Sequence, residues 1–138
     1  MGSDNIIIEY RNTFSSLSVL VEDDGRVAYA YLRDNGNIIG DVWLYNRLTA
    51  PQIPEWRLEP AQPPFLNPQE FSVSPPFSIP INKYRCTVDW RSIEANKEVA
   101  DILVDGMLIA RLARNAKPGW SVFAVKDGPL AKRLIEKS

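Results

Sequence analysis

The chain contains no histidine and a single cysteine. Without imidazole, Ser-His-Asp and Cys-His catalytic arrangements are excluded, as are the common histidine-based zinc and non-haem iron sites. One cysteine permits no intramolecular disulfide, which fits a reducing compartment. Cys86 stands inside Tyr84-Arg85-Cys86-Thr87-Val88, a strand-like stretch, and reads as a small apolar core residue rather than a nucleophile. The seven glycines are dispersed and mostly follow Asp, Asn or Pro, so neither standard phosphate-binding loop is present. No apolar run approaches the roughly 20 residues that span a bilayer. The opening Met-Gly-Ser-Asp-Asn lacks a basic segment followed by an apolar core, so no secretory signal is expected. These absences predict a cytoplasmic protein with no membrane segment, no metal and no cofactor.

An excess of charge of one sign is missing too. Sixteen basic and seventeen acidic side chains leave a net charge of -1, and the basic residues are scattered apart from Lys132, Arg133 and Lys137. Neutralising a run of phosphates takes clustered Lys and Arg, so nucleic acid is disfavoured as a partner.

What is present is an ordinary globular composition, 45% apolar and 24% charged over 138 residues, enough chain for one core without staples. Three regions differ in composition: a β-rich front (5–48), a proline-rich middle (50–81), and a second patterned region (83–127) that leads to a C-terminal segment (128–137). The middle carries Ile53, Trp56, Leu58, Phe65, Leu66, Phe71, Val73, Phe77, Ile79 and Ile81 among its prolines. Flexible linkers do not hold that many large apolar groups, so an extended strap packed on a sheet is predicted, within a single domain.

In the front region Leu17, Val19 and Val21 alternate with Ser16, Ser18 and Leu20, Asp24-Gly25 interrupts, and alternation resumes from Val27 to Leu32. Asp-Gly between such runs signals a hairpin. Pairing Asp23 with Arg26 puts Leu17, Val19, Val21, Ala28, Ala30 and Leu32 on one apolar face. Asn35-Gly36 marks a second hairpin, for which a three-residue loop with Gly36 in the left-handed region is preferred. It directs Val42 and Leu44 to the core and builds a second face from Tyr29, Tyr31, Trp43 and Tyr45, with Asp41 and Arg33 nearby.

The back region predicts a strand from Arg85 to Arg91 and a hairpin through Asp105-Gly106. Pairing Val104 with Met107 places Ile102 and Ile109 on one face and Leu103, Leu108, Ala110 and Leu112 on the other. A helix over Ser92–Leu103 competes with this reading, because Ile93, Val99, Ala100 and Leu103 also fit a helical stripe. Trp120 to Lys126 reads as the last strand. Pro129, Leu130, Leu134 and Ile135 suggest a C-terminal helix with Lys132, Arg133 and Lys137 near its end. The expected fold is mainly β (α+β): an antiparallel β-sandwich or strongly curved sheet of about seven strands, with a C-terminal helix.

The strongest functional feature is the aromatic and polar set of Tyr29, Tyr31, Asp41, Trp43, Tyr45 and Arg47, with Trp56 and Arg57 just beyond. Tyr, Trp and Arg dominate interface hot spots because they bury large area and keep a polar handle. The bland reading is that the proline-rich strap covers these rings as a second core. Trp90 and Trp120 read as packing. Asp41, Asp89 and Asp101 lie inside strand-like stretches, where ion pairing with residues such as Arg91 competes with a role in carboxylate chemistry, which needs two carboxyls about 5–10 Å apart. The expectation is a non-enzymatic partner-binding protein, of the immunity, antitoxin-like or regulatory adaptor type known in bacteria. The alternative is a small-molecule binding domain with an aromatic-lined pocket under the strap, holding a small polar ligand. An exposed edge strand would be compatible with a homodimer.

Overall fold

The computed structural model of the chain describes residues 5–73, 81–92 and 97–135. Phe77, Ile79, Ile93 and Lys137 lie outside the described residues. The architecture is mainly β, with nine described strands in two sheets. The first sheet runs in order β1 (Ile6–Arg11), β2 (Leu17–Asp23), β3 (Val27–Asp34), β4 (Asn37–Asn46), all antiparallel. The second runs β5 (Cys86–Ser92), β6 (Glu98–Val104), β7 (Met107–Ala113), β8 (Trp120–Ser121), β9 (Lys132–Arg133), antiparallel except between β8 and β9. The stretch from Glu98 to Leu103 is therefore strand, not the competing helix.

The first hairpin forms with Asp23 opposite Ala28, two residues beyond the expected pairing with Arg26. A shift of two keeps every side chain on its face. Leu17, Val19, Val21, Ala28, Ala30 and Leu32 are all buried, as the alternation predicts. The longer turn is held by carboxylates: Asp23 Oδ1 accepts from Gly25 N at 2.9 Å, and Asp24 Oδ1 accepts from Arg26 N and Val27 N at 2.9 Å each.

The Asn35-Gly36 turn differs from the three-residue loop expected. Both residues take positive φ (51° and 86°) and Asp34 pairs with Asn37, which makes a two-residue loop. Two bulges then correct the alternation. The first, beyond the Arg33–Ile38 pair, sets Tyr31 opposite Asp41 and Ala30 opposite Val42; the second sets Tyr29 opposite Trp43 but Ala28 opposite Tyr45. Each bulge adds one residue to β4 and reverses its facing. Val42 reaches the core face as expected, and Tyr45 joins it instead of lying beside Tyr29 and Tyr31.

A bulge also changes the back hairpin. Asp105 and Gly106 form a two-residue turn (φ 52° and 81°) with Val104 opposite Met107, but the extra residue Ile109 brings Ile102 opposite Ala110. Ile102 therefore shares a face with Ala110 and Leu112, contrary to the strict alternation, and all three are fully buried.

The expected C-terminal helix is not formed. Lys132 N donates to Gly119 O at 2.8 Å and Leu134 N to Ser121 O at 3.0 Å, so the segment lies as a short parallel strand beside β8. A helix of about ten residues is marginal in water and gains only what its packing provides; here the backbone groups find sheet partners instead. The expected strand from Trp120 to Lys126 stops after Ser121, whose hydroxyl oxygen accepts from Phe123 N at 3.1 Å and turns the chain. The only described helical element is a 3-10 turn at Glu55–Arg57. No helix among the described residues is long and apolar enough to cross a membrane.

One buried cluster draws on both sheets, from Val19, Leu32 and Val42 to Ile102, Ala110 and Leu112, with Leu66 of the proline-rich middle and Ile81 included. β3 and β4 meet β7 and β8. The outer edge of β4 is occupied by the chain itself. Asn115 N donates to Ile39 O (2.8 Å), Asp41 N to Ala116 O (3.3 Å), Gly119 N to Asp41 O (2.6 Å) and Trp43 N to Leu130 O (2.9 Å).

Candidate functional site

The face of the first sheet turned away from the core is a grid fixed by strand register. One row across the strands reads Ile7, Glu22, Tyr29, Trp43; the next reads Glu9, Leu20, Tyr31, Asp41; the third begins Arg11, Ser18, Arg33. Tyr29, Tyr31, Asp41 and Trp43 thus share one face, as the sequence suggests, and the two tyrosine rings stack at 6.2 Å with an interplanar angle of 13°.

Their exposures differ sharply. Trp43 is only 1% exposed and donates its Nε1 hydrogen to Asn46 Oδ1 at 2.9 Å. Asn46 in turn donates to Asn67 O and accepts from Asn67 N, both at 2.8 Å. Tyr29 is buried and donates its hydroxyl to Phe65 O at 2.7 Å. The 65–67 stretch of the proline-rich middle therefore lies over these two rings, which makes them packing groups. Tyr31 and Asp41 remain half-buried beside them.

Partial burial, with Glu22, Asp41 and Asp24 nearby, pushes the Tyr31 phenol up to about 12. The Asp41 carboxyl is raised above the ordinary aspartate range by burial, with Lys117 opposing the shift. Tyr29 is raised further still, first by burial. These tyrosines are neutral hydrogen-bonding groups at physiological pH, not bases.

Tyr45 belongs to another cluster. Fully buried on the core face, it donates to Asp23 Oδ2 at 2.7 Å, and its ring meets Phe123 edge-on at 6.3 Å. Arg47 Nη1 reaches the other oxygen of Asp23 at 3.3 Å. Burial, followed by the Asp23 contact, raises the Tyr45 phenol. The Tyr45 ring is therefore not a surface group.

Trp56 and Arg57 sit on the 3-10 turn, Trp56 half-buried and edge-on to Phe65 at 6.1 Å, Arg57 exposed. Their segment is pinned firmly. Glu55 pairs with Arg26 and accepts from Leu66 N at 2.6 Å, Arg26 Nη1 donates to Pro64 O at 2.9 Å, and Gln69 N donates to Pro51 O at 2.9 Å. Ile53 (59% exposed) and Leu58 (50%), on either side of this turn in the chain, face solvent, as does Leu48 (47%) just after β4. Sequence reading missed Leu48, and treated Ile53 and Leu58 as covered because apolar content alone does not show which side of a strap meets the sheet. A cavity of about 380 Å³ opens beside the turn, lined by Arg26, Glu55, Leu58, Pro60 and Phe65 among others.

The carboxylates of Asp89 and Asp101 meet on the second sheet. Asp89 stands directly opposite Asp101 on β5 and β6, while Asp101 receives Arg111 Nε at 2.6 Å and Arg91 Nη2 at 3.0 Å. Two guanidiniums on one carboxylate offset the like-charge pairing. Asp41, on the other sheet, does not join this pair. Cys86 is buried, and burial raises its thiol above the ordinary range, so it is a poor thiolate. The chain matches no protein-family model, no curated protein and no solved structure.

Proposed function

We propose that the chain is a cytoplasmic, single-domain, non-enzymatic binding protein, of the immunity, antitoxin-like or regulatory adaptor type. It would present a partner-binding surface on one flank of a two-layer β-sandwich. The observation that carries this reading is the exposure of Ile53 and Leu58 on either side of the pinned turn that bears Trp56 and Arg57, with Leu48 exposed earlier in the chain. Apolar side chains left in water beside aromatic and arginine groups mark interaction surfaces. Pinning reduces the ordering cost of association, because the segment is already held in shape before the partner arrives. The absence of histidine and the raised Cys86 thiol support the non-enzymatic part.

A second reading, small-ligand binding within the proline-rich segment, rests on the cavity of about 380 Å³ beside Phe65. That size falls in the usual range of ligand sites, about 300–1,000 Å³. Its charged groups, Arg26 and Glu55, are already paired with each other, so the partner surface is preferred.

The test is capture of a partner from host lysate with the tagged chain. A stoichiometric protein should be retained by wild type and by Met107→Asp, and lost with Ile53→Asp and Leu58→Asp. Met107 is more accessible than either, at 69% exposed, but lies on the second sheet. Retention by all three variants, or capture of nothing, would rule out this surface.

A further inference from the structure

We propose that the cleft between the 12–16 loop and the Asn35-Gly36 turn binds a small phosphorylated, hydroxylated ligand. Arg11 and Arg33 would receive its phosphate across Ser18. The strand register supplies the geometry: Arg11 is opposite Ser18 and Ser18 opposite Arg33, so two guanidiniums flank one hydroxyl on the face turned away from the core. Planar guanidinium forks suit the tetrahedral oxygens of a phosphate monoester.

Asp34, whose Oδ1 accepts from the Ser16 hydroxyl at the cleft wall, is itself paired with Arg114, so among the lining side chains Glu9 is the one carboxylate facing Arg11 and Arg33. Glu9, one row over, accepts from Arg11 Nε at 3.3 Å and pairs with Arg33 Nη2. One carboxylate therefore serves two cations and leaves a net positive charge. The Arg33 Nε is buried with no acceptor among the described residues, although buried donors of charged groups nearly always find one.

The walls are also rich in donors. Asn12 Oδ1 accepts from Phe14 N at 2.9 Å, which leaves its amide NH2 to donate. Ser15 Oγ accepts from Leu17 N at 3.2 Å and keeps its hydroxyl hydrogen. Asn35 N donates to Ser16 O at 3.2 Å, tying the loop to the turn. The cavity measures about 480 Å³, and Leu17 is the single large apolar side chain lining it. Such a lining favours hydroxyl groups over hydrocarbon. The cleft lies at the Asn35-Gly36 end of the first sheet, whereas the Leu48–Leu58 surface packs by Arg26 at the other end, so the two proposals fail independently.

Titration calorimetry with glucose 6-phosphate as probe, and glucose as its uncharged control, tests the site. Wild type should bind the phosphate saturably and glucose not at all. Glu9→Gln should tighten binding at least threefold by removing the competing carboxylate. Arg11→Gln, at a position whose side chain is 80% exposed, should weaken it at least tenfold. Absence of saturable binding to wild type, unchanged binding by Arg11→Gln, or weaker binding by Glu9→Gln would each overturn the proposal.

Discussion

Asp41 and Tyr31 face each other across β3 and β4, and both hold their protons more tightly than in water. For Asp41 the cause is burial, and the consequence for stability has a definite sign. A carboxyl whose pKa is higher in the folded chain binds more protons there, so stability falls as pH rises through the window above the ordinary aspartate value. Asp41→Asn removes the buried charge. Thermal melts should show the variant more stable than wild type near pH 7, with the gain vanishing once the pH is lowered below the ordinary aspartate range. A gain that persists in acid would assign the effect to the amide itself. The neighbouring residues show what sequence reveals at this scale. The shared face of Tyr29, Tyr31, Asp41 and Trp43 was legible in the alternation, but the crossing of Tyr45 was not. A bulge reverses facing through one unpaired residue, and nothing in Asp41-Val42-Trp43-Leu44-Tyr45 distinguishes the extra residue from its neighbours.

Among the elements, β4 depends on glycine in two physically different ways. Gly36 needs a backbone conformation, φ 86°, that side chains rarely adopt, yet a methyl there meets nothing within 4 Å. Gly40 has ordinary φ, but a Cβ would stand 2.7 Å from Ala113 O, in backbone that the β4 edge bonds hold in place. Chemical denaturation should therefore rank the two substitutions. Gly36→Ala is expected to cost about 1 kcal/mol, the usual strain of the left-handed region, and Gly40→Ala more, about 2–3 kcal/mol, as for an overpacked core. The reverse order would mean that the 113–119 stretch yields readily. The existence of the Asn-Gly and Asp-Gly hairpins was legible from their turn residues, but the loop length at Asn35-Gly36 and the pairing around Asp24-Gly25 were not. Nor was β9. Its partners at Gly119 and Ser121 are set by tertiary structure, while its own Leu130, Leu134 and Ile135 spacing imitates a helical stripe.

For the molecule as a whole, residues from both halves of the chain enter one buried cluster. Arg114 reinforces it by pairing with Asp34 at 3.1 Å and Glu98 at 3.2 Å. The four tryptophans are distributed as reporters, with Trp43 on β4, Trp56 on the 3-10 turn, Trp90 on β5 and Trp120 on β8. Urea unfolding followed by tryptophan fluorescence and by far-ultraviolet circular dichroism should give superimposable transitions, as one cooperative unit requires. Separate midpoints would divide the chain at the proline-rich segment. The two sides of the first sheet meet solvent on unequal terms. Along β4 the chain spends its own amides and carbonyls on the 115–119 stretch and on Leu130, whereas the outer side of β1 has no backbone partner among the described residues. Any foreign strand that extends this sheet must enter beside β1. A second copy joined there would present its own closed β4 side outward, so recruitment through this sheet terminates at a pair instead of propagating into a fibre.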